Sequence, residues 1–169
     1  MHPNSMNQCE AFRDGLLMHW HDKPLRIADV GANDINGCYR GLFARPGWEY
    51  VGFDIVAARN VDCVLPLDSQ GRWILPEEHR EAFDVVVSGQ CMEHVAAPWR
   101  WIHDVTSLCK PDGLIWLSVP NTEVFHEHPI DAWRCWPAGM SEIFREARLQ
   151  EIFCRVAGPD TVGLARVPA

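Results

Sequence analysis

The chain has 169 residues, 47% of them hydrophobic and 22% charged, which is the size of one globular domain with one core and no second domain. Its formal net charge of −8 argues against a general nucleic-acid or anionic-membrane binder, because both need a basic face to displace counterions. Seven cysteines, odd in number and never spaced C-x-x-C, suit reduced thiols rather than a disulfide scaffold or zinc site. No apolar run approaches the ~18 residues of a membrane span and the amino terminus lacks the features of an export signal, so a cytoplasmic protein is expected.

Along the chain, residues 5 to 21 space Met6, Cys9, Phe12, Leu16 and Trp20 as a helix does, and residues 1–24 read as a helical cap on a domain formed by residues 25–169. Short apolar runs then alternate with amphipathic stretches, which predicts a parallel sheet with helices on both faces. The strand candidates are Arg26 to Val30, Tyr50 to Asp54, Asp62 to Leu65, Phe83 to Ser88 and Leu114 to Val119, each apolar enough to be buried on both faces. Between them Gly37 to Ala44 reads as a short helix and Pro98 to Cys109 as a longer one, with Pro98 in the first turn and Lys110-Pro111-Asp112-Gly113 as the stop. A last helix runs from Pro137 to Leu149. Two strands, Gln150 to Val156 and Thr161 to Val167, join through Gly158-Pro159-Asp160 as a hairpin at the sheet edge. Trp99, Trp101 and Trp116 fall on these elements and are expected in the core.

In open α/β sheets a ligand binds beyond the carboxyl ends of the strands, so the residues just after each strand carry the function. After the first come Gly31, Asn33, Asp34, Asn36 and Gly37, types that bend tightly and let backbone approach a ligand. Asp54 follows the second strand, about 20 residues beyond the glycine turn, where a carboxylate grips a ribose hydroxyl pair. Asp68 follows the third, placed to accept from the exocyclic amine of a purine. Taken singly, each carboxylate also reads as a solvated cap or turn residue; their recurrence at three successive strand ends favours a ligand.

The segments RIADVGANDINGCYR, YVGFDI, VLPLD, FDVVVSGQCMEHV and LCKPDGLIWLSVPN together resemble the class I S-adenosylmethionine-dependent methyltransferases, and among them the type-11 methyltransferase-domain group. The resemblance spans about residues 25 to 120, and FHEHPIDAWRCWPAGM resembles the segment that follows the fifth strand in that group. It implies a Rossmann-like, seven-stranded, mostly parallel sheet in a single compact domain, with one antiparallel strand from the C-terminal hairpin, and S-adenosylmethionine as the cofactor. It also implies that Asp29 and Gly31 lie against the methionine part and Asp54 on the ribose, with Ile55 beside the adenine and Asp68 at its amine. Ser88, Gly89 and Gln90 then pass under the methionyl and sulfonium end. Asn33 and Ile35 stand where the commonest family pattern has glycines, so Ile35 needs ordinary backbone and Asn36-Gly37 must shape the turn.

On the acceptor side, His94 follows the fourth strand, and its unperturbed pKa near 6.5 suits deprotonation of a hydroxyl or amine at neutral pH; Glu93-His94 alternatively caps the following helix. His126, His128 and Asp131, interleaved with Trp133 and Trp136, offer the flat faces and few polar groups that a pocket for a polar small molecule requires. The same three residues have donor types that suit a metal, but no second-shell partner is identifiable and no metal is expected. Cys91 reads as a small buried hydrophobe.

The sequence thus predicts methyl transfer by in-line displacement to a small polar acceptor, a sugar or natural-product intermediate, with neither nucleic acid nor membrane as partner and a homo-oligomer left open. The N-terminal helix and residues 123 to 140 are expected to form the lid. The altered glycine turn motivates a second reading, an inactive methyltransferase-like subunit that binds cofactor or stabilises a partner. A nicotinamide-dependent oxidoreductase shares the Asp54 logic but needs a G-x-G-x-x-G turn that this chain lacks.

Overall fold

Period-two alternation sorts the strand residues onto two apolar faces. The computed structural model describes residues 3–20, 22–127 and 130–169. In β1 (Leu25–Val30) Ile27 goes to one face while Ala28 and Val30 go to the other; in β4 (Phe83–Gly89) Val85 and Val87 oppose Val86 in the same way. Each face therefore has its own core. One buries Trp101, Ile102 and Val105 of α2 (Pro98–Leu108) with Met140 and Phe144 of α3 (Pro137–Glu146), and the other buries Cys9 and Phe12 of α1 (Pro3–Leu16) with Tyr39 and Phe43. At ~25 cal/mol per Å² of apolar surface removed from water, these two cores dominate the drive to fold.

The remaining strands are β2 (Trp48–Asp54), β3 (Cys63–Val64), β5 (Cys109–Pro120), β6 (Gln150–Ala157) and β7 (Asp160–Arg166), and the sheet order is β3-β2-β1-β4-β5-β7-β6. β1 to β5 are mutually parallel and β7 runs against both β5 and β6. The hairpin supplies the antiparallel strand, as expected. The order reverses between β1 and β4, and that crevice is the topological switch point where ligands of such sheets bind.

Several local expectations are revised. Instead of a helix over 37 to 44 there is one 3-10 turn, Arg40–Phe43, because Gly37 takes a φ of 113° and Pro46 disfavours helix at Arg45. The first helix stops at Leu16, followed by a 3-10 turn at Met18–Trp20. Lys110 to Gly113 is bulged strand rather than a free turn: Asp112 has φ 63° and the register on β4 shifts between Phe83 and Val85. α3 ends early because Arg148 turns left-handed at φ 57° and the Leu149 N–H reaches back to the Phe144 carbonyl at 2.9 Å, which closes the helix end. Trp116 and Trp101 are buried, but Trp99 is 45% exposed, since the helical period that buries Trp101, Ile102, Val105 and Leu108 turns position 99 outward. All seven cysteines are free thiols. No helix among the described residues is long and apolar enough to cross a membrane.

Candidate active site

At the end of β1, Gly31 adopts φ 80°, and its N–H and that of Ala32 donate to the Phe53 carbonyl at 2.9 and 3.0 Å. A Cβ at position 31 would lie 2.6 Å from the Cys91 side chain, so only glycine fits both the dihedral and the space. The Asn33 N–H donates to Asp54 Oδ2 at 3.3 Å, and Val56 N–H to Oδ1 at 3.2 Å. Asp34 closes the rest of the turn: its Oδ1 accepts from the Gly37 N–H at 2.9 Å and its Oδ2 lies 3.3 Å from Arg59. Within residues 31 to 37 only Gly31 and Gly37 have positive φ. Ile35 therefore keeps ordinary backbone and the turn is shaped at Asn36-Gly37, as the residue types demand.

Asp29 is buried at 1% exposure, where it accepts a hydrogen bond from the Tyr50 hydroxyl. Asn60 Nδ2 donates to that hydroxyl at 3.2 Å and to the Ala32 carbonyl at 2.8 Å, and the Arg40 guanidinium lies 4.4 Å over the Tyr50 ring. Burial pushes the Asp29 carboxyl up to about 7, against the pull of Tyr50 and Arg40. This network braces the β1 turn from beneath.

Ser88 donates its hydroxyl to the Val30 carbonyl at 2.7 Å and so ties β4 to β1. A side chain in place of Gly89 would collide with the Tyr39 hydroxyl. Gln90 turns left-handed at φ 55°; its Nε2 donates to Asp160 Oδ1 at 3.0 Å while its Oε1 is buried with no hydrogen-bond partner. Asp160 also accepts from Asn4 Nδ2 at 2.7 Å, which brings the start of α1 to this end of the sheet. Asp68 stands apart beyond β3. Its Oδ1 accepts from the N–H groups of Gln70 and Arg72 at 2.8 and 2.9 Å, and these bonds lower its pKa.

A second group of side chains gathers around a residue that the sequence offered only as part of a helix cap. Glu93 has a fully buried side chain whose two oxygens make no hydrogen bond, and burial pushes its carboxyl up to about 8. His94 Nε2 lies 3.6 Å and His126 Nε2 3.9 Å from Glu93 Oε1. The rings of the two histidines meet edge to face at 5.2 Å. Asp131 is spent on structure: Arg134 grips its carboxylate at 2.5 and 2.7 Å, and Oδ2 accepts the His126 N–H at 2.7 Å. The Arg134 guanidinium holds this carboxyl well below the usual range. The Ala132 N–H donates to the Glu93 carbonyl at 2.8 Å and so docks the segment.

Beside this cluster a cleft of about 320 Å³ is lined by Glu123, Phe125, Asp131, Ala132, Trp133 and Arg134. The structure thus brings Gly31, Asn33, Asp54, Ser88, Gly89 and Gln90 to the strand ends around the switch point, with Ile55 exposed beside Asp54. It groups His94 with His126 and Asp131; His128 lies outside the described residues. Cys91 connects the two groups, since it fills the space at Gly31 and feels the charges of both Glu93 and Asp54. Burial raises its thiol pKa, so it is an inert filler. Sequence reasoning missed Glu93, Gln90's partner Asp160, and Asn121, whose Oδ1 is buried without a hydrogen-bond partner. The one available signal was polar residues placed directly at apolar strand ends.

Residues 9–158 match the methyltransferase-domain family. The ubiquinone biosynthesis O-methyltransferase of Maricaulis maris (strain MCS10) is 34% identical over 106 residues, 57% of this chain and 41% of that protein. The chain spans less than half the length of the curated relatives it matches. The Burkholderia thailandensis 1,6-didemethyltoxoflavin-N1-methyltransferase, solved with 1,6-didemethyltoxoflavin and S-adenosylhomocysteine, superposes with a TM-score of 0.69 at 17% identity, over 98% of this chain and 79% of that one. The CurJ carbon methyltransferase gives 0.66 at 16% identity, over 95% of this chain and 54% of that one. At such identities the likeness is one of fold, and the three names differ in acceptor atom.

Proposed function

This chain belongs to the methyltransferase-domain family, and we propose that it is a class I S-adenosylmethionine-dependent methyltransferase acting on a hydroxyl of a small polar acceptor, a sugar or natural-product intermediate. The residues at the switch point fit that cofactor. Gly31 makes an open turn that no Cβ can enter, Asp54 sits half-buried at its mouth, and Gln90 Oε1 is a buried acceptor in want of a donor. When bound, S-adenosylmethionine supplies a methyl carbon already activated by its sulfonium charge.

In this reading Asp54 accepts from the ribose hydroxyls, Ile55 covers one adenine face and Asp68 meets the adenine amine. Asp29, Gly31 and Asn33 shape the methionine side, Asp34 holds the turn closed through Asn36 and Gly37, and Ser88, Gly89 and Gln90 line the sulfonium end. Positioning of this kind contributes ~7–11 kcal/mol of barrier reduction in well-oriented reactions, so no elaborate catalytic apparatus is required. Phe125 and Trp133, 72% and 36% exposed, offer flat faces to the body of the acceptor. His126 and Asp131 belong to this side, Asp131 by fixing the position of His126.

The observation that carries the hydroxyl is the cluster of Glu93, His94 and His126. A hydroxyl must lose a proton before it accepts a methyl group, and a basic group beside the strand end supplies that step. The test is transfer of labelled methyl from S-adenosylmethionine to a panel of hydroxylated, amino and carbon acceptors. Labelling of hydroxyl compounds that is lost in His94→Ala supports the reading. Labelling confined to carbon acceptors, or undiminished in that variant, overturns it.

A further inference from the structure

The Glu93 carboxylate faces the Nε2 atoms of two imidazoles, and all three ligand atoms lie within 4.8 Å of one another. Glu93 has 0% side-chain exposure, and neither oxygen makes a hydrogen bond. Ionised in that position, the carboxylate needs a cation beside it, and without one it keeps its proton.

Both imidazoles are held in the tautomer a metal requires. His94 Nδ1 lies 2.5 Å from the Ile130 carbonyl and His126 Nδ1 2.9 Å from the Val124 carbonyl. A carbonyl only accepts, so each Nδ1 carries a proton, and in the neutral imidazole each Nε2 presents a lone pair on the side of Glu93. Backbone carbonyls fix metal-binding histidines in the same way.

We infer that Glu93 Oε1, His94 Nε2 and His126 Nε2 form a site for a divalent first-row transition-metal ion. The separations of 3.6 and 3.9 Å from Glu93 Oε1, with all three atoms within 4.8 Å of one another, are wider than the edge of about 3.4 Å expected for tetrahedral ligands with bonds of about 2.1 Å, so the side chains must close around the ion to seat it. Two imidazoles and one carboxylate favour Zn²⁺, Co²⁺ or Ni²⁺ over Mg²⁺ and Ca²⁺, which want oxygen ligands. The clamp of Asp131 on Arg134 and on the His126 N–H fixes the loop that supplies the third ligand. Three protein ligands leave a position open for the acceptor. His126 at 34% and His94 at 17% side-chain exposure mark the open side.

The inference deepens the proposed function at the same cluster and rests on it for its role: a hydroxyl bound to the ion gives up its proton to solvent on the open side more readily, whereas in the metal-free protein His94 takes the proton itself. The test is titration of tag-free, chelator-stripped protein with Co²⁺, followed by visible absorption, and then displacement by Zn²⁺. One equivalent of Co²⁺ is expected to bind with absorption bands of low coordination number. Glu93→Gln and His126→Ala should each weaken binding by more than the about 10–100-fold that loss of an outer partner costs, with S-adenosylhomocysteine affinity retained as the check on folding. No Co²⁺ uptake at millimolar concentration, or uptake unchanged in both variants, overturns the site. Those results leave hydroxyl methylation standing, since it is read from turnover; conversely, metal binding by a protein that labels no hydroxyl overturns the function and leaves the site.

Discussion

The two ends of the site are built in opposite ways. The cofactor end, at the exits of β1, β2 and β4, is made by backbone: N–H groups of Gly31 and Ala32 on the Phe53 carbonyl, and those of Asn33 and Val56 on Asp54. The proposed acceptor end is made by side chains from separate stretches of chain, with Glu93 and His94 meeting His126, and Asp131 and Arg134 holding the latter in place. Backbone construction needs only a few residue types at fixed spacing and suits a ligand common to a whole family. Side-chain construction changes with single substitutions, which suits an acceptor that differs between members of a family.

The sharpest way to break this comparison is His94→Ala. It should lower turnover by about 10²–10⁴-fold while leaving S-adenosylhomocysteine affinity unchanged in a calorimetric titration. A matching loss of cofactor affinity would mean that the two ends are a single unit.

The second effect is on stability against pH. Glu93 is pushed up to about 8 and Asp29 to about 7, so the folded protein holds protons that the unfolded chain releases above its ordinary carboxylate pKa values. Stability is therefore greatest, as far as these two groups go, below about pH 4 and falls as pH rises toward 7 to 8, by on the order of a few kcal/mol in the metal-free protein. Denaturant midpoints of Glu93→Gln and Asp29→Asn should each be flatter over that window than wild type. Asp131 has the opposite sign: its lowered pKa contributes stability above the unfolded value that is lost as pH falls through the acid range.

Smaller effects separate the carboxylates of the cofactor end. Asp54→Ala should cost about 1–3 kcal/mol of S-adenosylhomocysteine affinity, because the ribose hydroxyls lose a charged acceptor. Asp68→Ala should cost less, below about 1 kcal/mol, since Oδ1 already serves its own turn. Equal losses would place both carboxylates on the ligand. No loss at Asp54 would leave the switch-point reading without its principal residue.

The difference in construction also explains what was legible beforehand. The strand runs, the glycine turn and the terminal carboxylate of β2 are local patterns, and each falls within a residue or two of its expected place except the start of β5, which lies five residues earlier at Cys109. The 3-10 turn in place of a helix over 37 to 44 escaped notice because Gly37's φ of 113° is set by the Asp34 cap, a contact that spacing alone does not reveal. Trp99 was misplaced because composition marks tryptophan as core material, whereas the phase of α2 decides which face it takes. Glu93 was unreadable because its neighbours in sequence, Met92 and His94, resemble an ordinary helix start, while His126 reaches it only through the docking of the 123–136 segment.

The sequence by itself determined the alternation of strands and helices and the position of the glycine turn, because these depend on periodicity and on residues near one another in the chain, and its motifs carried the family resemblance. Only the tertiary structure decided that a buried carboxylate meets two part-exposed imidazoles, that Asp131 is engaged by Arg134, and that Asp29 is a brace beneath the turn. Those outcomes follow from burial and long-range contact, where removal of water sets both the protonation of Glu93 and its demand for a partner.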